Sequence, residues 1–294
     1  MTSPEQLGKL YPPHSPAVGD GLYDDAGQPH VDGLYDPRSG SAGDRWTPLF
    51  YPPYLPPPRG LYDVVTWVQD GGTPLRFLEG LQVRLTNVDL DTQFGVWGED
   101  WCADPDSITD TKAKDRPDAV TADFEAMTVY GFDQNQCGDL SRDSRAEVRT
   151  RAAQVLAVTE QIAVETTLAP RLLADAPTAV TASSVTDAVS LLEVGLAKAG
   201  LTGYLHASPK WAAYLAEHRL NLGGRSPMGH MWAFGGGYAD TLGDTIVGTT
   251  AVFGWRGPIT LRDAIKYELN QYVAVAERSL LIAYETAVVA VKVG

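Results

Sequence analysis

Two hydrophobic periodicities divide the chain. Leu61-Tyr-Asp-Val-Val-Thr-Trp-Val68 is rich in β-formers and ends at the turn signal Asp70-Gly71-Gly72, which predicts a strand. Leu81-Gln-Val-Arg-Leu-Thr-Asn-Val88 alternates apolar and polar side chains with period two, and Phe94-Gly-Val-Trp97 is a candidate partner for it. Residues 61–101 therefore read as strands with an early hairpin. Asp104 to Ala119 is polar without a period and reads as a loop, and Val129–Phe132 is a short apolar segment.

The strongest helical period follows. Ser144-Arg-Ala-Glu147 has the form of a capping box, in which the serine accepts from the Glu147 amide and the glutamate reaches back. Val148, Ala152, Val155, Ile162 and Thr166 then share one face, with Leu156 and Ala163 beside it. Pro170 disfavours helical geometry at Ala169, so the predicted helix stops there, at about 24 residues and ~36 Å. Ser184-Val-Thr-Asp187 caps a second helix, carrying Val189, Leu191, Leu192, Val194 and Leu196 and ending at Gly200. Leu201–Ala207 reads as a strand, and Ser208-Pro209 as an N-cap and first position opening a helix through Trp211, Tyr214 and Leu215. Thr245–Phe253 and Ala287–Val293 are β-rich. The fold class is α+β.

Residues 1–60 belong to neither period. They hold 12 of the 20 prolines, including Tyr11-Pro12-Pro13, Tyr51-Pro52-Pro53 and Pro56-Pro57-Pro58, which excludes long helices and central strands. Gly-Leu-Tyr-Asp occurs three times, at Gly21, Gly33 and Gly60, too irregularly for a solenoid. Leu10, Tyr11, Tyr23, Tyr35, Trp46, Phe50 and Tyr54 make the stretch too apolar for a solvated tail. It reads as an extended arm with its aromatics in pockets of its own domain or of a neighbour.

Composition narrows the classes. The 294 residues carry 23 Lys+Arg against 37 Asp+Glu, a net charge of −14, which argues against a protein devoted to gripping phosphate backbones or anionic membranes. No apolar run reaches bilayer length, and the N-terminus lacks a basic region followed by an apolar stretch, which points away from a secretory signal. Two cysteines, Cys102 and Cys137, fit a reducing compartment and read as ordinary buried thiols.

Candidate chemistry is sparse. Gly229–Tyr238 is glycine-rich but matches neither dinucleotide nor P-loop spacing, so Gly235-Gly236-Gly237 reads as a tight turn. Asp133-Gln-Asn135-Gln-Cys137 starts like an EF-hand loop and fails at Cys137 and at Ser144. Neither cysteine has a His or Cys within five residues, so no zinc site is expected. His14 and His30 lie in the arm, and His218 and His230 flank the loop around Gly224. His206 and Ser208 suggest nucleophilic catalysis, but without a G-x-S-x-G elbow His206 reads as a satisfied core histidine and Ser208 as a cap. Asp100, Asp104, Asp106 and Asp110 read as a solvated acidic loop. No catalytic, cofactor-binding or metal-binding residue is assigned, and no cofactor is expected.

The order of segments carries a resemblance. Phe124-Glu-Ala-Met-Thr-Val-Tyr130 leads into the long helix; Gly200-Leu-Thr-Gly203-Tyr-Leu-His206-Ala207-Ser208-Pro209 and Gly235-Gly236-Gly237-Tyr238 follow. With Asn270–Arg278 and Ala287-Val-Val-Ala-Val291, they resemble the major capsid proteins of tailed bacteriophages, over about residues 61–294. The resemblance implies the Hong Kong 97-type capsid fold: an N-terminal arm over 1–60, an extended hairpin loop and peripheral domain over 61–176, an axial domain over 177–255, and a return to the peripheral domain over 256–294. The helix from about 145 to 168 would be the spine helix.

It further implies a non-enzymatic homo-oligomer, hexamers and pentamers of an icosahedral shell enclosing double-stranded DNA without sequence-specific binding. Such a virion component, assembled in the host cytoplasm away from membranes, works with portal, scaffolding or decoration proteins. The alternatives are an encapsulin-type compartment shell on the same fold, a hydrolase using His206 and Ser208, and a ring-forming adaptor or tail protein.

Overall fold

The computed structural model describes residues 60–68, 80–86, 96, 98, 100–107, 120–136 and 140–294. The arm, the turn at Asp70–Gly72, most of Phe94–Trp97, Asp110 and Cys137 lie outside them. Elements are numbered in chain order. The helices are α1 (Leu61–Val64), α2 (Arg142–Asp175), α3 (Val185–Lys198) and α4 (Trp211–Glu217). One sheet runs β1 (Thr66–Val68), β9 (Val252–Arg256), β11 (Gln271–Tyr284), β10 (Thr260–Lys266), with β4 (Met127–Gln136) also paired to β11. A second runs β5 (Val180–Ala182), β12 (Ala287–Val293), β8 (Thr245–Thr249), β6 (Tyr204–Ala207), β7 (Met231–Phe234). β2 (Gly80–Leu85) and β3 (Val120–Glu125) pair antiparallel by themselves. The described residues fall into two compact units, one holding 131–157 and 261–276, the other 60–130, 158–260 and 277–294.

In the larger unit the second sheet is covered on both faces. Tyr204, Val247 and Ala290 contribute to one apolar cluster with Val164, Leu168 and Leu172 of α2, while Leu205, Ile246 and Val291 contribute to another with Val189, Leu192 and Leu196 of α3. Adjacent residues of a strand point to opposite faces, so each of these strands feeds both cores and reads as a continuous apolar run.

Helix α3 follows local rules. The Ser184 hydroxyl accepts from the Asp187 amide at 3.1 Å. The Asp187 carboxylate returns to the Ser183 amide at 2.8 Å, one residue earlier than a capping box requires. At the other end Leu201 N donates to Leu196 O and Gly200 N to Ala197 O, a Schellman motif, with Gly200 at φ +68°.

Helix α2 is longer than its sequence signals suggest, at 34 residues. It starts at Arg142 because Ser141, not Ser144, is the cap: the Ser141 hydroxyl accepts from Ser144 N at 3.2 Å and its carbonyl from Arg145 N. The Ser144 hydroxyl instead accepts from Asn135 Nδ2 at 2.9 Å. Pro170 sits inside the helix without ending it. Leu168, Ala169 and Leu172 around it are buried, whereas Pro170 and Thr166, whose carbonyl loses its partner, face solvent. The exposed carbonyl is open to solvent, while core burial holds the backbone helical.

The buried face also differs from the predicted one. Val148, Ala152, Leu156, Glu160, Val164, Leu168 and Leu172 are buried at a strict spacing of four, while Val155, Ile162 and Thr166 are exposed. A step of four advances about 40° around a 3.6-residue helix, so the buried line winds about the axis. One slot in that line is a glutamate.

Other expectations are corrected. Leu61–Val64 is a helical turn, because three-residue spacing buries Leu61 and Val64 on one side; only Thr66–Val68 is extended. β2 pairs with β3, where Phe94–Trp97 is the candidate partner in the sequence, and β1 pairs in parallel with β9. Val129–Phe132, read as a short apolar segment, is part of the ten-residue strand β4, and β3 precedes it over Val120–Glu125. Helix α4 is preceded by Lys210 without a side-chain cap; Ser208 contributes its carbonyl, which accepts from Trp211 N, rather than its hydroxyl. Cys102, expected to be buried, is an exposed free thiol.

In the smaller unit, β4 lies against α2 at Gly131, where a Cβ would stand 2.3 Å from Leu156 N and 2.4 Å from Ala152 O. Arg149 ion-pairs with Asp263, and Tyr272 donates to the same carboxylate at 2.7 Å. The Tyr272 hydroxyl first, then Arg149, hold the Asp263 carboxyl below its usual range.

Candidate functional site

The polar groups of the larger unit gather on α2. Glu160 is 5% exposed and takes Arg278 Nη1 on its two oxygens at 3.1 and 3.3 Å, with the Tyr62 hydroxyl at 2.8 Å. Burial first, and then the Glu160 charge, push the Tyr62 phenol well above its ordinary range, so it stays a donor. Fifteen residues on, Asp175 accepts from the Tyr284 hydroxyl at 2.8 Å. Fifteen residues of helix span about 22 Å, and the six from Arg278 to Tyr284 span about 20 Å of strand, so the two clasps pin α2 along β11.

Glu165 is fully buried and faces no cation. Its oxygens accept from Leu61 N at 2.9 Å, Gln161 Nε2 at 2.8 Å and Gly237 N at 3.0 Å. One carboxylate therefore ties the turn at 61 and the glycine segment to the same point of α2. The glycines follow from this: a Cβ on Gly237 would stand 2.3 Å from Ile162 O, and one on Gly235 2.5 Å from Glu165 Cδ. The expected tight turn is present as a 3₁₀ turn over Gly236–Tyr238.

His206 is fully buried, with Nδ1 3.0 Å from the Tyr238 hydroxyl and Nε2 3.0 Å from Thr249 Oγ1. Both ring nitrogens are thus engaged away from Ser208, and burial pushes the imidazole down to about 3. His206 is a core residue, as its sequence context suggests. His230 is also buried and accepts from Gly203 N at 3.0 Å through Nδ1, while His218 is exposed. His14 and His30 lie outside the described residues.

The remaining candidates do not converge. Asp100 and Asp104 accept from the amides of Cys102 and Asp106 in exposed local turns. Asp133, at the head of the EF-hand-like run, lies in β4 with Arg151 3.6 Å away. Among the described residues no three His, Cys, Asp or Glu side chains gather as metal ligands, and no helix is long and apolar enough to cross a membrane. A cleft of about 200 Å³ is lined by Leu201, Thr202, Thr250, Ala251, Phe253 and Glu285, with one titratable side chain. The surface instead displays large apolar side chains, with Trp101 fully exposed and Val96, Tyr267, Tyr130, Met228 and Leu222 more than half exposed. The buried carboxylates Glu160 and Glu165 escaped the sequence reading; Glu160 betrays itself only by occupying a slot of the four-residue line.

No family model matches the chain, and no curated protein matches it. Solved structures do. The capsid of a native GTA particle aligns over 85% of this chain and 94% of its own, at TM-score 0.54 and 11% identity. The capsid of an empty GTA particle aligns over 88% and 98%, at 0.51 and 10%. A structure from Mycobacterium phage Che8 aligns over 87% and 98%, at 0.50 and 14%. The chain shares its α+β fold with these GTA capsids and with the phage Che8 structure.

Proposed function

We propose that this chain is a shell-forming structural protein, a major capsid protein of the Hong Kong 97 type that assembles as hexamers and pentamers around double-stranded DNA. The observation that carries the reading is the extent of the fold match, at least 94% of each GTA capsid chain. Exposed Trp101, Tyr267 and Met228 support it, since large apolar side chains left in solvent by one subunit gain burial only beside another.

In this reading residues 1–60 are the arm, 61–176 the extended hairpin and peripheral domain with α2 as spine, 177–255 the axial domain, and 256–294 the return. The last of these divides: β10 and β11 belong to the first sheet, while β12 joins the sheet of β5 to β8. The mechanism is geometric, with contacts between copies closing a symmetric shell in the virion. Assembly would take place in the host cytoplasm, with portal, scaffolding or decoration proteins as further partners.

The test is light scattering on the size-exclusion peak of the recombinant protein, with negative-stain images of the same fraction. Five- and six-membered rings or closed megadalton particles are expected. A sharp 31.7 kDa monomer that stays single on concentration overturns the reading. Particles that hold a co-purified enzyme and no nucleic acid identify a cargo compartment instead of a virion.

A further inference from the structure

Arg256 and Arg278 create a charge imbalance that the described residues do not resolve. In the antiparallel register Arg256 faces Leu280, and Arg278 lies two residues before Leu280, so both guanidiniums rise from one face of β9 and β11. Like charges in that diagonal relation repel. The carboxylate between them is Glu160, already occupied by Arg278 and Tyr62. Arg256 lies over the Trp67 ring at 4.5 Å, and no carboxylate among the described residues pairs with it. Arg278 Nε is buried without an acceptor. Among the described residues two cations share one anion, leaving one positive charge in a half-buried, aromatic-walled setting.

That setting works against the charge. Burial first, then the Arg278 cation, lower the Arg256 guanidinium from its ordinary value. A guanidinium does not give up its proton in a protein, so relief has to come from an added anion. The floor of the site is built for a flat group: a Cβ at Gly254 would stand 2.7 Å from the Trp67 ring, and the glycine lets the indole lie on the strand beneath Arg256.

We propose that Arg256 is an intersubunit anchor, held open for a carboxylate side chain of a second copy of this chain. One carboxylate balances the single excess charge, and a planar carboxylate matches the guanidinium fork. Another copy supplies it readily, because each carries 37 acidic against 23 basic side chains. A nucleic-acid backbone suits the site less, since it brings a row of phosphates toward a chain of net charge −14. This proposal rests on the shell-forming reading.

The test compares full-length wild type, Arg256→Gln and Arg256→Lys, each purified unassembled and then allowed to assemble with and without added double-stranded DNA. Particle yield is read by light scattering and negative stain, and thermal unfolding of the unassembled subunit is read in parallel. Arg256→Gln is expected to lower the yield about tenfold or more without DNA, the scale of one lost charged hydrogen-bonded pair. Its unassembled subunit should melt no lower than wild type, because the repulsion from Arg278 disappears. Arg256→Lys should assemble at an intermediate level.

A variant that assembles like wild type overturns the proposal, as does a fall in subunit melting that accounts for the lost yield. Loss confined to samples with DNA identifies a phosphate contact and overturns it too. A wild type that forms neither rings nor particles overturns the shell reading itself and this proposal with it.

Discussion

Helices α2 and α3 solve the same packing problem in different ways. α3 is 14 residues long, capped at both ends by local motifs, and buries Val185, Ala188, Val189, Leu192 and Leu196. α2 is 34 residues long, passes through a proline, and buries two glutamates among its leucines and valines. The short helix covers one face of a sheet with hydrocarbon and reaches one distant segment through a single carboxylate, Glu193, which accepts from Ser226 Oγ and Met228 N. The long one also fastens to segments far away in sequence, using Glu160 for Tyr62 and Arg278 and Glu165 for Leu61 and Gly237. Hydrophobic contact holds elements together without fixing their register. A charged hydrogen bond fixes it but makes each partner costly to lose.

The largest expected effect follows from that cost. Glu160→Ala leaves Arg278 buried and unpaired and should destabilise the unassembled subunit by about 3–5 kcal/mol in urea unfolding. Glu165→Gln keeps the size but sets an amide NH₂ against a backbone donor; the expected loss is about 2 kcal/mol by the same measurement.

Acid should act through His206, bonded to Tyr238, and through His230 in the same sense. Their folded-state values lie below the ordinary histidine range, to about 3 for His206. The unfolded chain therefore binds more protons below pH ~6.5, and stability is complete above that value and falls as pH drops toward 3. Lowering pH from 7 to 5 should cost about 2 kcal/mol from His206 alone, and His206→Gln should flatten that slope. Low-lying carboxylates such as Asp263 lose their contribution only in more acidic solution.

On α3, Ser184→Ala should cost only about 1 kcal/mol, the value of one N-cap, in thermal unfolding. Val158→Ala should change stability by less than about 0.5 kcal/mol, because that side chain is exposed on α2 despite its apolarity. A large loss there would mean that the four-residue line is not the packing face.

What could be read in the sequence tracks the same contrast. The Ser184 cap, the Gly200 stop, the buried strand around His206 and the α+β class depend on neighbours within a few residues, so they are visible locally. The extent of α2 is not. The predicted face shares Val148 and Ala152 with the buried one, but Val155 and Ile162 outrank Glu160 in apolarity and draw a periodicity reading away from the rest of the line. The cap at Ser141 is hidden by the better box at Ser144, and the helix crosses Pro170 because core burial outweighs the local penalty. The turn at Leu61 looks like a strand because its β-forming residues are intrinsically ambiguous, and a glutamate 104 positions away fixes it. The capsid-type fold was legible in the order of segments, whereas the excess charge at Arg256 depends on strand register and a buried partner.

The position of β12 bears on how the chain matures. It lies between β5 and β8, pairing with both, although it follows both of them in the chain. Translation proceeds at roughly 5–20 residues per second, so the gap between β8 and β12, residues 250 to 286, leaves the sheet divided for seconds. During that interval β8 presents an open edge and β5 has no neighbour in the sheet, the condition in which nascent chains attract chaperones or each other. Chains broken off between residues 250 and 286 would keep that edge open and be exposed to proteolysis, so strand order makes the sheet depend on synthesis reaching β12.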